Sequence, residues 1–186
     1  MFNSFYDKFV FTNGLKYKHN NLYLINLPFV ILPTDALVSI AKIQDADINR
    51  EIYYAVKGSI KGALKKEFQI DFGVEGERGL EFMEAYFTAS GWGQLNRTNL
   101  DFEKKHALVS VMNSAVATNS GRSKVPVDTF LRGFLAGIFT IYFKQDVDCV
   151  ETHCEAVSGN RCNFVIKPLS EFNFENKLTR SQLNVE

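Results

Sequence analysis

The 186-residue sequence predicts a single α/β domain in which an antiparallel sheet is packed with helices, and three patterns predict it. Segments rich in β-branched and aromatic residues, broken by turn chemistry, lie near the start, in the middle and toward the end. Two amphipathic helical stretches occupy residues 48–90, and one almost wholly apolar helix follows the middle strands. The length suits one domain able to bury a core without disulfides, and no repeat or linker marks an interior boundary.

Taken in order, Lys8 to Leu32 reads as two or three short antiparallel strands interrupted at Asn13-Gly14 and His19-Asn20-Asn21. Residues 1–33 are thus expected to be N-terminal strands packing on a main domain of residues 34–168. Pro33-Thr34-Asp35 offers a helix start, with Thr34 as cap and an end near Ile43. Ile48, Ile52, Ala55, Val56, Ile60, Ala63, Leu64 and Phe68 then share a helical face, opposite Lys57, Lys61 and Lys65 on the expected water side. A third helix from near Val74 turns Leu80, Met83 and Phe87 inward and stops at Gly91-Trp92-Gly93.

Gln94 to Leu100 and Ala107 to Ala117 alternate as paired strands joined around Glu103-Lys104-Lys105. After a polar loop, Pro126 and Asp128 precede a helix so apolar that it must be central, with Gly133 and Gly137 making a bare ridge for another backbone to approach. Val147 to Cys154 and Arg161 to Ile166 form the last strands, linked by a turn at Ser158-Gly159-Asn160. Residues 169–186 read as a loose polar tail.

Lys+Arg and Asp+Glu both number 21, so no net field draws in a polyanion and direct nucleic-acid binding is not expected. The longest apolar runs, such as Leu22 to Leu32, are too short to span a bilayer, and no secretory leader is recognisable, which predicts a cytoplasmic protein without a membrane span. All three cysteines fall between Cys149 and Cys162, an odd count that suits metal binding better than a disulfide framework.

Several segments resemble one family in order. Glu151-Thr152-His153-Cys154, Ser158-Gly159 and Cys162-Asn163-Phe164-Val165-Ile166 are similar to the C-terminal signature of the 4-vinyl reductase domain family. Phe130-Leu131-Arg132-Gly133-Phe134-Leu135-Ala136-Gly137 resembles the glycine-bearing helix before that signature. Gly91-Trp92-Gly93 and Asn113-Ser114-Ala115-Val116-Ala117 resemble two of its junctions. The resemblance implies an α/β domain related in shape to TRAPP vesicle-tethering subunits. It also implies the roles found among such domains: sensing aromatic effectors, binding hydrocarbons in archaea, and an association with bacteriochlorophyll synthesis.

The spacing Glu-x-x-Cys-x7-Cys, filled by Glu151, Cys154 and Cys162, brings a carboxylate and two thiols together if the last strands pair, and such donors suit a structural zinc ion. In the effector-sensing relatives this trio resembles part of a zinc site completed by a cysteine, a position that falls here at Asp128. Asp128 as an oxygen ligand, Asp128 as a mere helix cap, and Cys149 or His153 as the fourth donor all stay open. Strand alternation puts Glu151 and Cys154 on opposite faces, so they converge only if the strand bulges or ends between them.

A binding module is the leading expectation: an apolar pocket for a small hydrophobic or aromatic ligand, read out by a partner protein, with Trp92, Phe130 and Phe134 as candidate lining residues. The sequence holds no Gly-x-Gly-x-x-Gly fingerprint and no Ser-His-Asp constellation, so a reductase acting on a vinyl group, or its accessory, is the alternative rather than the first reading. A homodimeric scaffold built on exposed apolar surface is the other.

Overall fold

In the computed structural model, which describes residues 14–24, 27–71 and 77–183, a small antiparallel sheet comes first: β1 (Leu15–Lys18), β2 (Asn21–Leu24) and β3 (Leu27–Phe29). His19 and Asn20 join β1 to β2 at φ 51° and 61°, the two-residue turn whose twist matches that of the strands it joins. Asn13, half of the other predicted turn, lies outside the described residues.

Three helices follow: α1 (Thr34–Ala41), α2 (Ala46–Asp71) and α3 (Glu77–Ala89). Pro33 rather than Thr34 holds the cap position of α1, and Thr34 begins the helix itself, because Pro33 already has the extended backbone a cap requires. Asp45 caps the start of α2, its carboxylate accepting from the Ile48 amide at 2.9 Å.

The inward face of α2 is rotated from the one predicted. Ile48 and Ala55 are exposed, whereas Tyr53 and Lys57 are buried. Lys57 does not face water: its Nζ lies 2.9 Å from Asp146 Oδ2 and 2.9 Å from Asp148 Oδ1. A buried ammonium needs such partners, and the exposed Asp146 and the buried Asp148 supply them. The expected start of the third helix, Val74, lies outside the described residues, but α3 buries Leu80 and Phe87 and half-buries Met83 before ending at Gly91 (φ 82°).

The main sheet contains β4 (Gln94–Asp101), β5 (His106–Met112), β6 (Asp148–His153) and β7 (Cys162–Lys167), antiparallel throughout in the order β4-β5-β7-β6. The strand predicted to run to Ala117 stops at Met112. Ser114 accepts from the Ala117 amide and caps a short helix, α4 (Ala115–Asn119), so its local hydrogen bond overrides the β-alternation.

Helix α5 (Thr129–Phe143) is the central element, packed on α2 along one side and on β6 and β7 along the other. Its glycine ridge meets α2: a Cβ on Gly133 would sit 2.6 Å from the Tyr53 carbonyl oxygen, and one on Gly137 2.8 Å from Ile60 Cβ. A one-turn helix, α6 (Glu155–Ser158), stands where a plain hairpin turn was expected.

Residues 169–183 are not a loose tail. A 3-10 turn at Leu169–Glu171 leads to α7 (Lys177–Leu183), whose Thr179 and Leu183 are buried against the domain. This helix covers the edge strand β6. Along that edge the outward backbone groups are met by side chains: the Cys149 amide donates to Tyr53 Oη (3.0 Å), Arg132 Nε donates to the Cys149 carbonyl (3.1 Å), and Val147 donates to Thr140 Oγ1 (3.2 Å). An edge satisfied in this way offers no ladder to another chain.

Candidate metal centre and apolar cleft

The register of β6 against β7 shifts between Glu151 and His153. This bulge is what lets a carboxylate and a sulfur three residues apart reach one point, since regular alternation would send them to opposite faces. Cys162 enters from the paired strand β7, and Asp128 from the residue before α5. One ligand atom from each of Asp128, Glu151, Cys154 and Cys162 lies within 4.8 Å of the others, and all four residues are buried.

The other two donors considered from sequence are elsewhere. Cys149 is fully buried on β6, next to Tyr53 and Arg132, and is not in the cluster; burial pushes its thiol well up. His153 is exposed beside Thr152. Asp128 does stand at the cap position of α5, yet its side chain makes no capping hydrogen bond. It accepts instead from Ser114 Oγ at 2.9 Å.

The electrostatics of the cluster are those of buried donors that could hold a cation. Glu151 Oε1 and Asp128 Oδ2 are buried with no hydrogen-bond partner. Desolvation raises the Asp128 carboxyl to about 6, and burial, then the nearby Asp128 charge, raises Glu151 well above its ordinary value. Cys154 moves the other way, down to about 6, held by a hydrogen bond from Cys162 and further by Glu151 and the backbone amides of Val127 and Ala156. Cys162 is pushed up correspondingly. Four acidic groups without a basic side chain among them are costly to bury, and a divalent cation removes that cost. Two sulfurs and two carboxylate oxygens are donors that zinc accepts.

Reasoning from sequence misses Ser114 and Gln182. Ser114 has a readable signal in its Ser-Ala-Val-Ala start, the pattern of a helix cap. Gln182 lies in the segment read as a tail.

A small cleft of about 10 Å³, partly open to solvent, lies between α3, β4 and α5 and is lined by Leu80, Met83, Glu84, Leu95, Leu135, Ile138 and Phe139. Trp92, Phe130 and Phe134 are not among these lining residues. Phe134 instead packs edge-on to Phe87 (5.5 Å between ring centroids) and beside Trp92 (5.9 Å), while Phe130 is half-buried near the start of α5.

These features define a mixed α/β domain whose antiparallel sheet cradles a glycine-ridged helix and ends in a hairpin bearing thiols and carboxylates. Residues 108–168, the stretch from β5 to the end of β7, match the family model of the 4-vinyl reductase domain. No curated protein is matched. Among solved structures, the phenol-responsive sensory domain of the transcription activator PoxR, determined with phenol, is similar at TM-score 0.74 and 14% identity, covering 90% of each chain. A trafficking protein particle complex subunit 3 from Naegleria fowleri, covalently bound to palmitic acid, is similar at TM-score 0.53 and 14% identity, covering 72% of this chain and 89% of that one. A vinyl-4-reductase family protein from Methanocaldococcus jannaschii is 15% identical, with TM-score 0.47 over 75% of this chain and 96% of that one. Among the described residues no helix is long and apolar enough to cross a membrane.

Proposed function

We propose that this chain is a sensor-type module that binds a small apolar or aromatic ligand, is braced by a structural zinc ion, and acts through a partner protein. The observation that carries the reading is the fold, shared over nine-tenths of both chains with a phenol-responsive sensory domain, and the small apolar cleft beside α5 is the place where a ligand would enter if the surrounding side chains part. A small ligand in the cleft would bear on α3, β4 and α5 together, and α5 is the element on which α2 and the hairpin strands both rest. Occupancy would therefore shift the balance between two packings of that helix.

Zinc has a bracing role in this reading. Asp128, Glu151, Cys154 and Cys162 would hold it, tying the start of α5 to both strands of the last hairpin. With four protein donors it has no open position and supplies no chemistry to a ligand.

Melting temperatures measured with phenol, toluene and medium-chain fatty acids test the ligand reading. A concentration-dependent rise with at least one compound is expected, and a flat response across the panel counts against it. Elemental analysis after dialysis tests the metal: about one zinc per chain is expected, and less than about a tenth of an equivalent overturns it.

A homodimer is a second reading, favoured by one observation: Val30 and Ile31 are 79% and 74% exposed, next to a small sheet whose Leu15 and Tyr17 also face outward. Sedimentation at several concentrations distinguishes it from a monomer.

A further inference from the structure

Gln182 holds the backbone of the metal-site glutamate. The Glu151 amide donates to Gln182 Oε1 and Gln182 Nε2 donates to the Glu151 carbonyl, both at 2.8 Å. The side-chain amide thus acts as a one-residue strand partner on the open edge of β6. It does so beside the bulge, since the register against β7 holds at Glu151, which faces Phe164, and breaks between Glu151 and His153.

The clamp is itself built in. Arg132, buried in α5, donates to the Gln182 carbonyl and stacks over the Tyr53 ring at 4.7 Å, and Leu183 beside it is 1% exposed. Helix α7 therefore cannot shift without moving the residue whose carboxylate enters the cluster.

We propose that Gln182 is a positioning residue of the metal centre, acting through the Glu151 backbone, so that ion occupancy and the seating of α7 are energetically linked. The inference rests on the zinc reading above. If the clamp favours the ligating pose of Glu151, the ion must favour the clamp by the same free energy, because linkage is reciprocal. Occupancy at one end of the sheet is then felt at helix α7, a surface distant in sequence from Asp128 before α5 and close in space to β6.

The test uses the full chain stripped of metal, with Zn²⁺ or Co²⁺ added alone. Gln182→Met keeps the volume and removes both hydrogen bonds; Gln182→Glu keeps the acceptor for the Glu151 amide. Zinc affinity by chelator competition should fall on the order of 10- to 100-fold in Gln182→Met, the usual cost of losing an outer-shell partner, and less in Gln182→Glu. The Co²⁺ absorption bands should shift in Gln182→Met, since they report ligand geometry. In the wild type, zinc should slow amide exchange in residues 177–183, and in Gln182→Met it should not. If Gln182→Met does not fold, Gln182→Glu and the wild-type exchange data carry the test. Gln182→Met affinity within about threefold of wild type, a shift of about 0.7 kcal/mol, overturns the inference. So does α7 exchange that is the same with and without zinc. Zinc that fails to bind the wild type overturns the metal reading and this inference together, whereas zinc that binds without slowing α7 overturns the inference alone.

Discussion

Gly137 lies so close under Ile60 that a Cβ placed on it would come within 2.8 Å of Ile60 Cβ and 2.9 Å of the Lys57 carbonyl oxygen. The two neighbours belong to the inner face of α2, and the oxygen is backbone that cannot swing away. Gly137→Ala adds helix propensity, worth roughly 1 kcal/mol in its favour, but forces the helices apart. Denaturant unfolding should show a net loss of about 1–3 kcal/mol, as overpacked cores do. Gly58→Ala, on the outer side of α2 with nothing within 4 Å of the added carbon, should instead be neutral or stabilising. Equal effects at the two positions would rule out the ridge as the reason α5 carries glycine.

The ion network beneath that contact sets a pH dependence. Burial pulls Lys57 down, but the hydrogen bonds and charges of Asp148 and Asp146 outweigh it and hold the ammonium above its ordinary 10.5. Burial pushes Asp146 up, but hydrogen bonds from Lys57 and Lys61 outweigh that and hold it below 3.8. A lowered carboxyl contributes stability that is present above its unfolded value and is lost as pH falls through the folded one. A raised ammonium contributes stability that is present below 10.5 and is lost as pH rises through its folded value. Lys57→Met leaves Asp148 buried with Tyr53 as its hydrogen-bond donor, so unfolding at pH 7 should show a loss of about 3–5 kcal/mol. The gap from wild type should narrow below pH 3.8 and again at strongly alkaline pH. A gap that stays constant however far the pH is taken below 3.8 or above 10.5 would show that packing, not charge, is what Lys57 contributes.

The parts of the fold that are legible in sequence are those where one residue type has one physical reason to be present. Gly133 and Gly137 mark a close helix contact because no other side chain fits there, and His19-Asn20 marks a hairpin because few residues accept positive φ. The grouping of Glu151, Cys154 and Cys162 is legible from spacing, together with the condition that the strand bulge between the first two. The illegible parts depend on partners remote in sequence. Lys57 counts as polar in any periodicity, and its burial follows from Asp146 and Asp148, about ninety positions away. The last helix is lost among polar neighbours. Its signals are local: Asn176, which accepts from the Leu178 amide at 2.8 Å, and Leu178, Thr179 and Leu183 at helical spacing.

Removing one carboxylate separates the two sides of the candidate metal centre. Glu151 is fully buried, with one oxygen lacking a partner and its pKa raised by burial and by Asp128. Without metal, Glu151→Gln removes a group that is costly to ionise there, so the melting temperature should hold or rise. With zinc at about a hundred times its dissociation constant the wild type should gain about 2.7 kcal/mol, and the variant should gain little or none. Opposite signs in the two conditions are specific to a ligand. A variant that melts lower without metal and still responds fully to zinc would make Glu151 a packing residue only.

The cleft yields the last prediction, because Leu135 belongs both to it and to the core. Leu135 has no exposed surface, yet it lines the free space between α3, β4 and α5. Leu135→Ala should cost about 2–5 kcal/mol, since the void left by a leucine in a packed interior relaxes only in part. That void would open into the cleft, and an apolar cavity enlarged in this way binds small aromatics. Toluene or phenol should therefore raise the melting temperature of Leu135→Ala by more than that of the wild type. Val111→Ala provides the control, because Val111 is equally buried on β5 but does not line the cleft; it should be destabilised without any added response to ligand. If both variants respond alike, the gain reflects general softening of the core. If Leu135→Ala alone responds, the space beside α5 is continuous with the surface that a ligand must cross, and the wild-type leucine sets how large that ligand can be.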